Sequence, residues 1–308
     1  MGLRRVDESR LRDRLAAVAA LVRVPNLFSA PPDVLLGGAL VAAAGASVSL
    51  PALAGLAVAS VLLYAGGTTL NDYFDAAVDA RERPERPIPA GEVSRRVAGV
   101  LGAALLVGGV LVALVAAGSR AGVLAAALAA VVALYDGVLK GGPAGFLAMG
   151  SARGLNVLLG MTAVDGLDSP VWGLVVPVVV ALYIALVTYM AANEAATTER
   201  GAVVAAAAGV VLAVLGVLGM VVMARPPLAR SALAVALAGG FLAWTGRALG
   251  PAYTDPRPKT VGPAVGTCVL ALVVLDGAFA ALAGVDWALA TLAFLVPAVG
   301  LARVFDVS

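Results

Sequence analysis

Ten stretches, near 24–45, 52–74, 97–117, 121–139, 143–164, 170–192, 202–223, 229–249, 262–283 and 287–304, are each apolar over most of their length. A helix crosses the hydrocarbon core of a bilayer in about 20 residues, and all ten come near that length, the last being the shortest. With 61% hydrophobic residues and 13% charged ones, the chain has too little polar surface to cover a soluble globule. These features predict an all-α fold, a polytopic transmembrane helical bundle of nine or ten spans. No polar linker separates the spans, so residues 1–308 read as one membrane domain. Small residues recur along them, as in Gly102–Gly108 and Gly209–Gly216, where they let helix backbones approach in lipid.

The placement of charge gives an orientation. With the N-terminus on the cytoplasmic side, eighteen of the 21 lysines and arginines fall on cytoplasmic segments, leaving Arg120, Arg225 and Arg230 outside. The opening twenty residues mix acids with bases and lack a compact apolar core before a small-residue cleavage site, so a cleaved leader is not expected. Histidine is absent and Cys268 is the single cysteine, which excludes histidine catalysis, a disulfide framework and a cysteine metal site. The net charge of +2 points to no nucleic-acid partner. The bilayer is the partner that the composition demands; the oligomeric state stays open.

Against this apolar background one stretch is dense in charge: LNDYFDAAVDARERPERPIPAG, residues 70–91. Asn71, Asp75 and Asp79 follow at four-residue steps with Asp72 beside them. They share one face if the second helix continues past the membrane edge. Carboxylates in that array repel one another and face the negative end of the helix dipole, so a cation is required. Carboxylate oxygens are hard ligands, and one or two of them with substrate phosphates and water make an ordinary Mg²⁺ site. Arg81, Arg83 and Arg86 offer forked donors that match phosphate oxygens. The plain alternative is a solvated charged loop; the carboxylate spacing at a helix end argues for a Mg²⁺-diphosphate site.

Asn71-Asp72-x-x-Asp75-x-x-x-Asp79 followed by Arg86-Pro87-Ile88-Pro89-Ala90-Gly91 resembles the first signature of the UbiA superfamily of intramembrane prenyltransferases, with both elements in order between the second and third spans. The resemblance implies a bundle of about nine spans around a central cavity. It also implies Mg²⁺-dependent transfer of a prenyl group from a polyprenyl diphosphate to a small aromatic or polyol acceptor. Carried over residue by residue, Asp72, Asp75 and Asp79 would hold metal and diphosphate, with Asn71 and Arg86 beside them. Tyr135 and Lys140 of YDGVLK resemble the family's Tyr-x-x-x-x-Lys region, which implies that Lys140 contacts the diphosphate and Tyr135 lines the cavity. Asn26, at the entrance to the first span, would approach the diphosphate.

Arg153 and Asn156 lie deep in the fifth span, where polar groups are costly and turn toward a cavity, which marks them as substrate-binding candidates against a plain role in joining helices. Asp33 and Asp276 are further intramembrane acids. Asp33 could line the acceptor cavity or be satisfied by backbone freed at Pro31 and Pro32. The family's second acidic motif departs here to TYMAANEAATTERG, residues 188–201. Asn193 occupies a substrate position there, and Glu194 and Glu199 offer carboxylates for a second metal side, with Thr198 four residues after Glu194. This variant resembles an EboC-like branch. Two rivals fit less well. A CDP-alcohol phosphotransferase would open its pattern with Asp-Gly and an Ala-Arg pair, which is missing. A transporter would leave the coupling of the two linked elements at 71–79 and 86–91 unexplained, and a non-catalytic isoprenoid-binding protein stays open as an alternative to the enzyme.

Overall fold

The computed structural model describes residues 16–164, 171–192 and 200–302. All regular elements among them are helical. They include α1 (Val24–Leu27), α2 (Pro31–Ala43), α3 (Leu50–Glu82), α4 (Arg95–Leu134), α5 (Pro143–Gly160), α6 (Val175–Ala192), α7 (Arg200–Ala224), α8 (Leu228–Thr254), α9 (Pro258–Ala280), α10 (Val285–Leu292) and α11 (Leu295–Ala302), with a short 3-10 helix, Val171–Leu174, ahead of α6. A wider π-helical turn, Tyr135–Leu139, follows α4.

The breaks follow local chemistry. Pro31 and Pro32 lack the N–H groups that would carry a helical ladder across residues 28–30, so the first span divides into α1 and α2. Ser49 accepts a hydrogen bond from the Ala52 N–H at 3.3 Å with Pro51 in the first turn, and α3 starts there. It stops at Arg83, which precedes Pro84 and has left the helical region. At 33 residues α3 is about 50 Å long, against about 30 Å of hydrocarbon. It therefore continues beyond residue 74, where the apolar pattern ends, and Asn71, Asp75 and Asp79 do lie on one unbroken helix.

Helix α4 and the π turn form a 45-residue run, but it is not one rod. Ala117 and Gly118 are non-helical, Gly118 with a φ of 80°. A Cβ on Gly122 would lie 3.5 Å from the Leu114 Cα, two residues that a straight helix would hold about 12 Å apart. The chain therefore reverses, and both limbs return along α3: Gly66 meets Leu106 of the first, Gly67 meets Val132 of the second. Seven helices are long and apolar enough to cross a membrane by length and composition. Dividing α4 and adding the 18-residue α5 gives nine crossing stretches among the described residues. The last expected span is broken into α10 and α11, eight residues each, or about 12 Å apiece.

Two apolar cores share α2 and α5. One joins α6, α7, α8 and α9 around Tyr183, Phe241 and Phe279; the other joins α3 and α4 around Leu56, Leu63 and Leu106. Val115, Val222 and Leu228 are among many large apolar side chains on the outside, as a lipid-facing surface requires. Helices α2 and α5 touch backbone to backbone: a Cβ on Gly37 would lie 2.1 Å from the Val157 carbonyl oxygen, and one on Gly160 2.0 Å from that of Val34. That approach fixes Asp33 of α2 opposite Arg153 and Asn156 of α5.

Candidate active site

The acidic face of α3 is neutralised by cations from three separate segments. Arg23 Nη2 lies 2.8 Å from Asp72 Oδ1. Arg86 Nη1 reaches Asp72 Oδ1 at 3.2 Å and Asp79 Oδ2 at 2.9 Å. Lys140 Nζ pairs with Asp75 Oδ2. The carboxyl groups of Asp72 and Asp79 are nearly sealed, while that of Asp75 is 25% exposed and stands at the open edge with Lys140. Each cation satisfies a need that spacing alone creates, since like charges at helical steps near a helix C-terminus must be offset.

Backbone chemistry places each partner. Arg86 is carried by a tight loop in which the Arg86 N–H bonds the Arg83 carbonyl, and the Glu92 and Val93 N–H groups both bond that of Pro87. The loop closes at Gly91 with a φ of 76°, a conformation that a side chain would strain. Arg23 precedes α1 with φ 51° and ψ 59°, an uncommon position for a non-glycine residue. Lys140 ends the π turn, which brings Asp136 inward. Asn71 Nδ2 donates to Asp136 Oδ1 at 2.9 Å, and Asp136 is buried.

Inward from these carboxylates lies a cavity of about 180 Å³. Its outer end is walled by Arg23, Asn71, Tyr135 and Asp136, its middle by Leu63, Tyr64, Leu128 and Val132, and its inner end by Ser60, Arg153 and Asn156. Arg153 Nη1 donates to the Ser29 carbonyl at 2.7 Å and to Asp33 Oδ2 at 3.1 Å, and Nη2 donates to Ser29 Oγ at 3.0 Å. Its guanidinium also stands 5.4 Å from the centre of the Tyr64 ring. Asn156 Nδ2 donates to Asp33 Oδ2 and to the Ala30 carbonyl, both at 2.9 Å.

The sequence-derived candidates thus separate into groups. Asn71, Tyr135, Arg153 and Asn156 wall the cavity, and Asp72, Asp75, Asp79, Arg86 and Lys140 form the charged array at its mouth. Asn26 is half-buried and off the cavity wall; its carbonyl accepts from Ser29. Asp33 does not line the cavity: it is fully buried and held by Arg153 and Asn156 rather than by backbone freed at the prolines. Asn193, Glu194, Thr198 and Glu199 lie outside the described residues. Asp136 escaped the sequence reading although it stands inside YDGVLK beside two selected residues; a buried acid at a span end was the available signal. Ser60 and Tyr64 escaped it too, although they continue the stripe of Thr68, Asn71 and Asp75 at helical spacing.

Among the described residues no three carboxylates converge into a preformed metal cage. The array suits a metal held by one or two carboxylates and completed by substrate phosphates, as Mg²⁺ ordinarily is.

Residues 34–201 match the model of the UbiA prenyltransferase family. The digeranylgeranylglyceryl phosphate synthase of Methanothrix thermoacetophila is 37% identical over 141 residues, 46% of this chain and 52% of that protein. That of Ignicoccus hospitalis is 39% identical over 101 residues, 33% of this chain and 32% of its own length. The chain thus spans about a third to a half of these relatives. A UbiA homolog from Archaeoglobus fulgidus, solved bound to GPP and Mg²⁺, superposes with a TM-score of 0.63 at 14% identity, covering 90% of this chain and 99% of that one; at that identity the likeness is one of fold. The family match takes in the acidic array, its arginine loop and the cavity-lining α5, and the chain belongs to the UbiA prenyltransferase family.

Proposed function

We propose that this membrane protein, acting as one domain, transfers a prenyl group from a polyprenyl diphosphate to a small acceptor within the bilayer, with Mg²⁺ as cofactor. The observation that carries the reading is the balanced array at the mouth of the cavity: three aspartates on one face of α3, each already matched by a cation from another segment. When a diphosphate enters, its oxygens can take over Arg23, Arg86 and Lys140, which frees carboxylate oxygens as metal ligands. Asp72, Asp75 and Asp79 would hold Mg²⁺, and Glu194 and Glu199 would supply its second side, with Asn193 near the substrate. A metal held there would supply neutralisation of the charge that grows on the leaving oxygens.

In the transfer the C1–O bond of the donor breaks and the diphosphate leaves with the electron pair. The acceptor oxygen bonds C1 and gives up its proton to the departing diphosphate. Arg23, Arg86 and Lys140 stabilise the departing anion, and Leu63, Leu128 and Val132 shield the allylic cation from water. The names of the relatives support a glyceryl phosphate as the acceptor to test first, and the arginine-rich distribution supports a cytoplasmic site. A transporter would need its intramembrane acids open to an ion path, whereas Asp33 and Asp276 are both fully buried. Transfer of labelled prenyl groups in membranes tests the proposal: Asp75→Ala should abolish it, and full transfer by that variant would overturn the mechanism.

A further inference from the structure

Among the described residues Asp136 is the one carboxylate that walls the cavity, whereas Asp72, Asp75 and Asp79 stand at its mouth. Those three each have a cation. Asp136 forms no ion pair with any described lysine or arginine, Arg23 being held by Asp72 and Lys140 by Asp75. Its partner is Asn71, whose Nδ2 donates to Oδ1 at 2.9 Å. The other oxygen, Oδ2, has no partner among the described residues, and unlike Ser60 Oγ and Asn156 Oδ1 it is not sealed. The residue is 7% exposed, and on a cavity wall that surface is within reach of a ligand. A carboxylate oxygen only accepts, and a largely buried acid without a cation is costly. What Oδ2 lacks is a donor.

Its place relative to the diphosphate grip says what that donor is. Arg23 Nη2 touches both Asn71 Oδ1 at 3.5 Å and Asp72 Oδ1 at 2.8 Å, so Asp136 borders the grip on its cavity side. A donor with its diphosphate at the mouth and its tail along Leu63, Leu128 and Val132 brings C1 to this border. Asp136 repels an anionic group and accepts from a neutral hydroxyl. A glyceryl phosphate would therefore turn its phosphate to the cations and its hydroxyl to the acid. Those groups sit on adjacent carbons, so both fit at the cavity's outer end.

We infer that Asp136 is a catalytic residue, the base for the acceptor: its Oδ2 accepts the acceptor's O–H and aims that oxygen at C1 of the donor. As the C1–O bond to the diphosphate breaks and the new C–O bond forms, the proton passes to Asp136 Oδ2 and on to the departing diphosphate. Asp136 returns to its carboxylate form, and the diphosphate carries away the proton and the electron pair. The inference rests on the transferase reading above.

Asp136→Asn tests it at one atom. Arg23 keeps Asn71 Oδ1 on its own side, so Asn71 Nδ2 still points at residue 136. The new amide must meet it with its oxygen and turn its NH₂ to the cavity, which keeps the link to Asn71 and replaces the needed acceptor by a donor. The experiment uses the full chain in nanodiscs with Mg²⁺. The probes are geranylgeranyl diphosphate, its non-cleavable analogue, geranylgeranylglyceryl phosphate and the counterpart with hydrogen in place of the free hydroxyl. With the analogue bound, the wild type should hold the hydroxyl probe about 10-fold or more tightly than the deoxy probe, as a bond to a charged group gives. Asp136→Asn should narrow that gap and slow transfer by roughly 100-fold or more, with wild-type thermal stability and Mg²⁺-dependent donor binding. Equal affinities for the two probes in the wild type, no binding of either, or an unchanged gap or undiminished transfer in Asp136→Asn would overturn the assignment. Loss of Mg²⁺-dependent donor binding in Asp136→Asn alone would overturn it too, in favour of a metal ligand. Absence of Mg²⁺-dependent donor binding in the wild type would instead overturn the transferase reading.

Discussion

A single nitrogen, Arg86 Nη1, bridges Asp72 and Asp79 at 3.2 and 2.9 Å, tying the first and last aspartates of the acidic face to the loop that follows it. Two turns of α3 and the Pro-rich loop therefore act as one unit. Arg86→Ala would leave the nearly buried Asp79 without its cation and Asp72 with Arg23 alone, and transfer should fall by roughly 100-fold or more, the scale for losing one donor to a developing oxyanion. Arg86→Lys, which cannot reproduce the planar fork, should recover only part of the rate. Steady-state assays with a labelled donor measure both.

Lys140 pairs with the most exposed of the three aspartates, and its own side chain is 37% exposed. The surface pair should add little to stability. Lys140→Ala is expected to keep the wild-type unfolding temperature while raising the donor KM, and Lys140→Arg to restore much of the donor affinity. Parallel thermal unfolding and donor titration separate the two effects.

Arg23 offers a different separation, of side chain from backbone. Its left-handed conformation costs about 1 kcal/mol or more in a non-glycine residue, while its guanidinium holds Asp72 at 2.8 Å. Arg23→Gly and Arg23→Ala should lose donor affinity equally, yet the glycine variant should be the more stable of the two by thermal unfolding.

Deeper in the membrane, Arg153 is the cation for a fully buried carboxyl group. Arg153→Leu should destabilise the protein by about 3–5 kcal/mol, because Asp33 is left unpaired, and adding Asp33→Leu should recover much of that loss. Unfolding in matched detergent conditions measures the cycle. A related steric prediction concerns Gly160, where a Cβ would stand 2.0 Å from the Val34 carbonyl oxygen. Gly160→Ala should cost about 1–3 kcal/mol as α2 and α5 separate, measurable in the same unfolding experiment.

Much of this arrangement was legible in the sequence, for identifiable reasons. The spans announce themselves because lipid demands length and apolarity together, and residues 97–117 and 121–139 mark the two limbs that reverse at Gly118. The acidic motif is readable because repeated four-residue steps create a repulsion that something must offset. Which cations offset it was not readable: Arg23 and Lys140 lie 49 and 65 positions from their partners Asp72 and Asp75, and long-range pairing leaves no local spacing. Asp33 was visible as a costly buried acid, but its partners depend on the close passage of Gly37 and Gly160. The polar stripe from Ser60 to Asn71 was obscured because serine and tyrosine are unremarkable singly in a membrane helix, and it is recognised only as one wall of the cavity.

The central claim, that the acidic face of α3 is a metal-dependent diphosphate site, is tested most directly by equilibrium binding of a labelled, non-cleavable polyprenyl diphosphate analogue to the protein in nanodiscs, with Mg²⁺ and with chelator. Saturable binding that requires Mg²⁺ and disappears in Asp75→Asn is the result this account predicts. Binding of equal strength with chelator, or undiminished in Asp75→Asn, would contradict it.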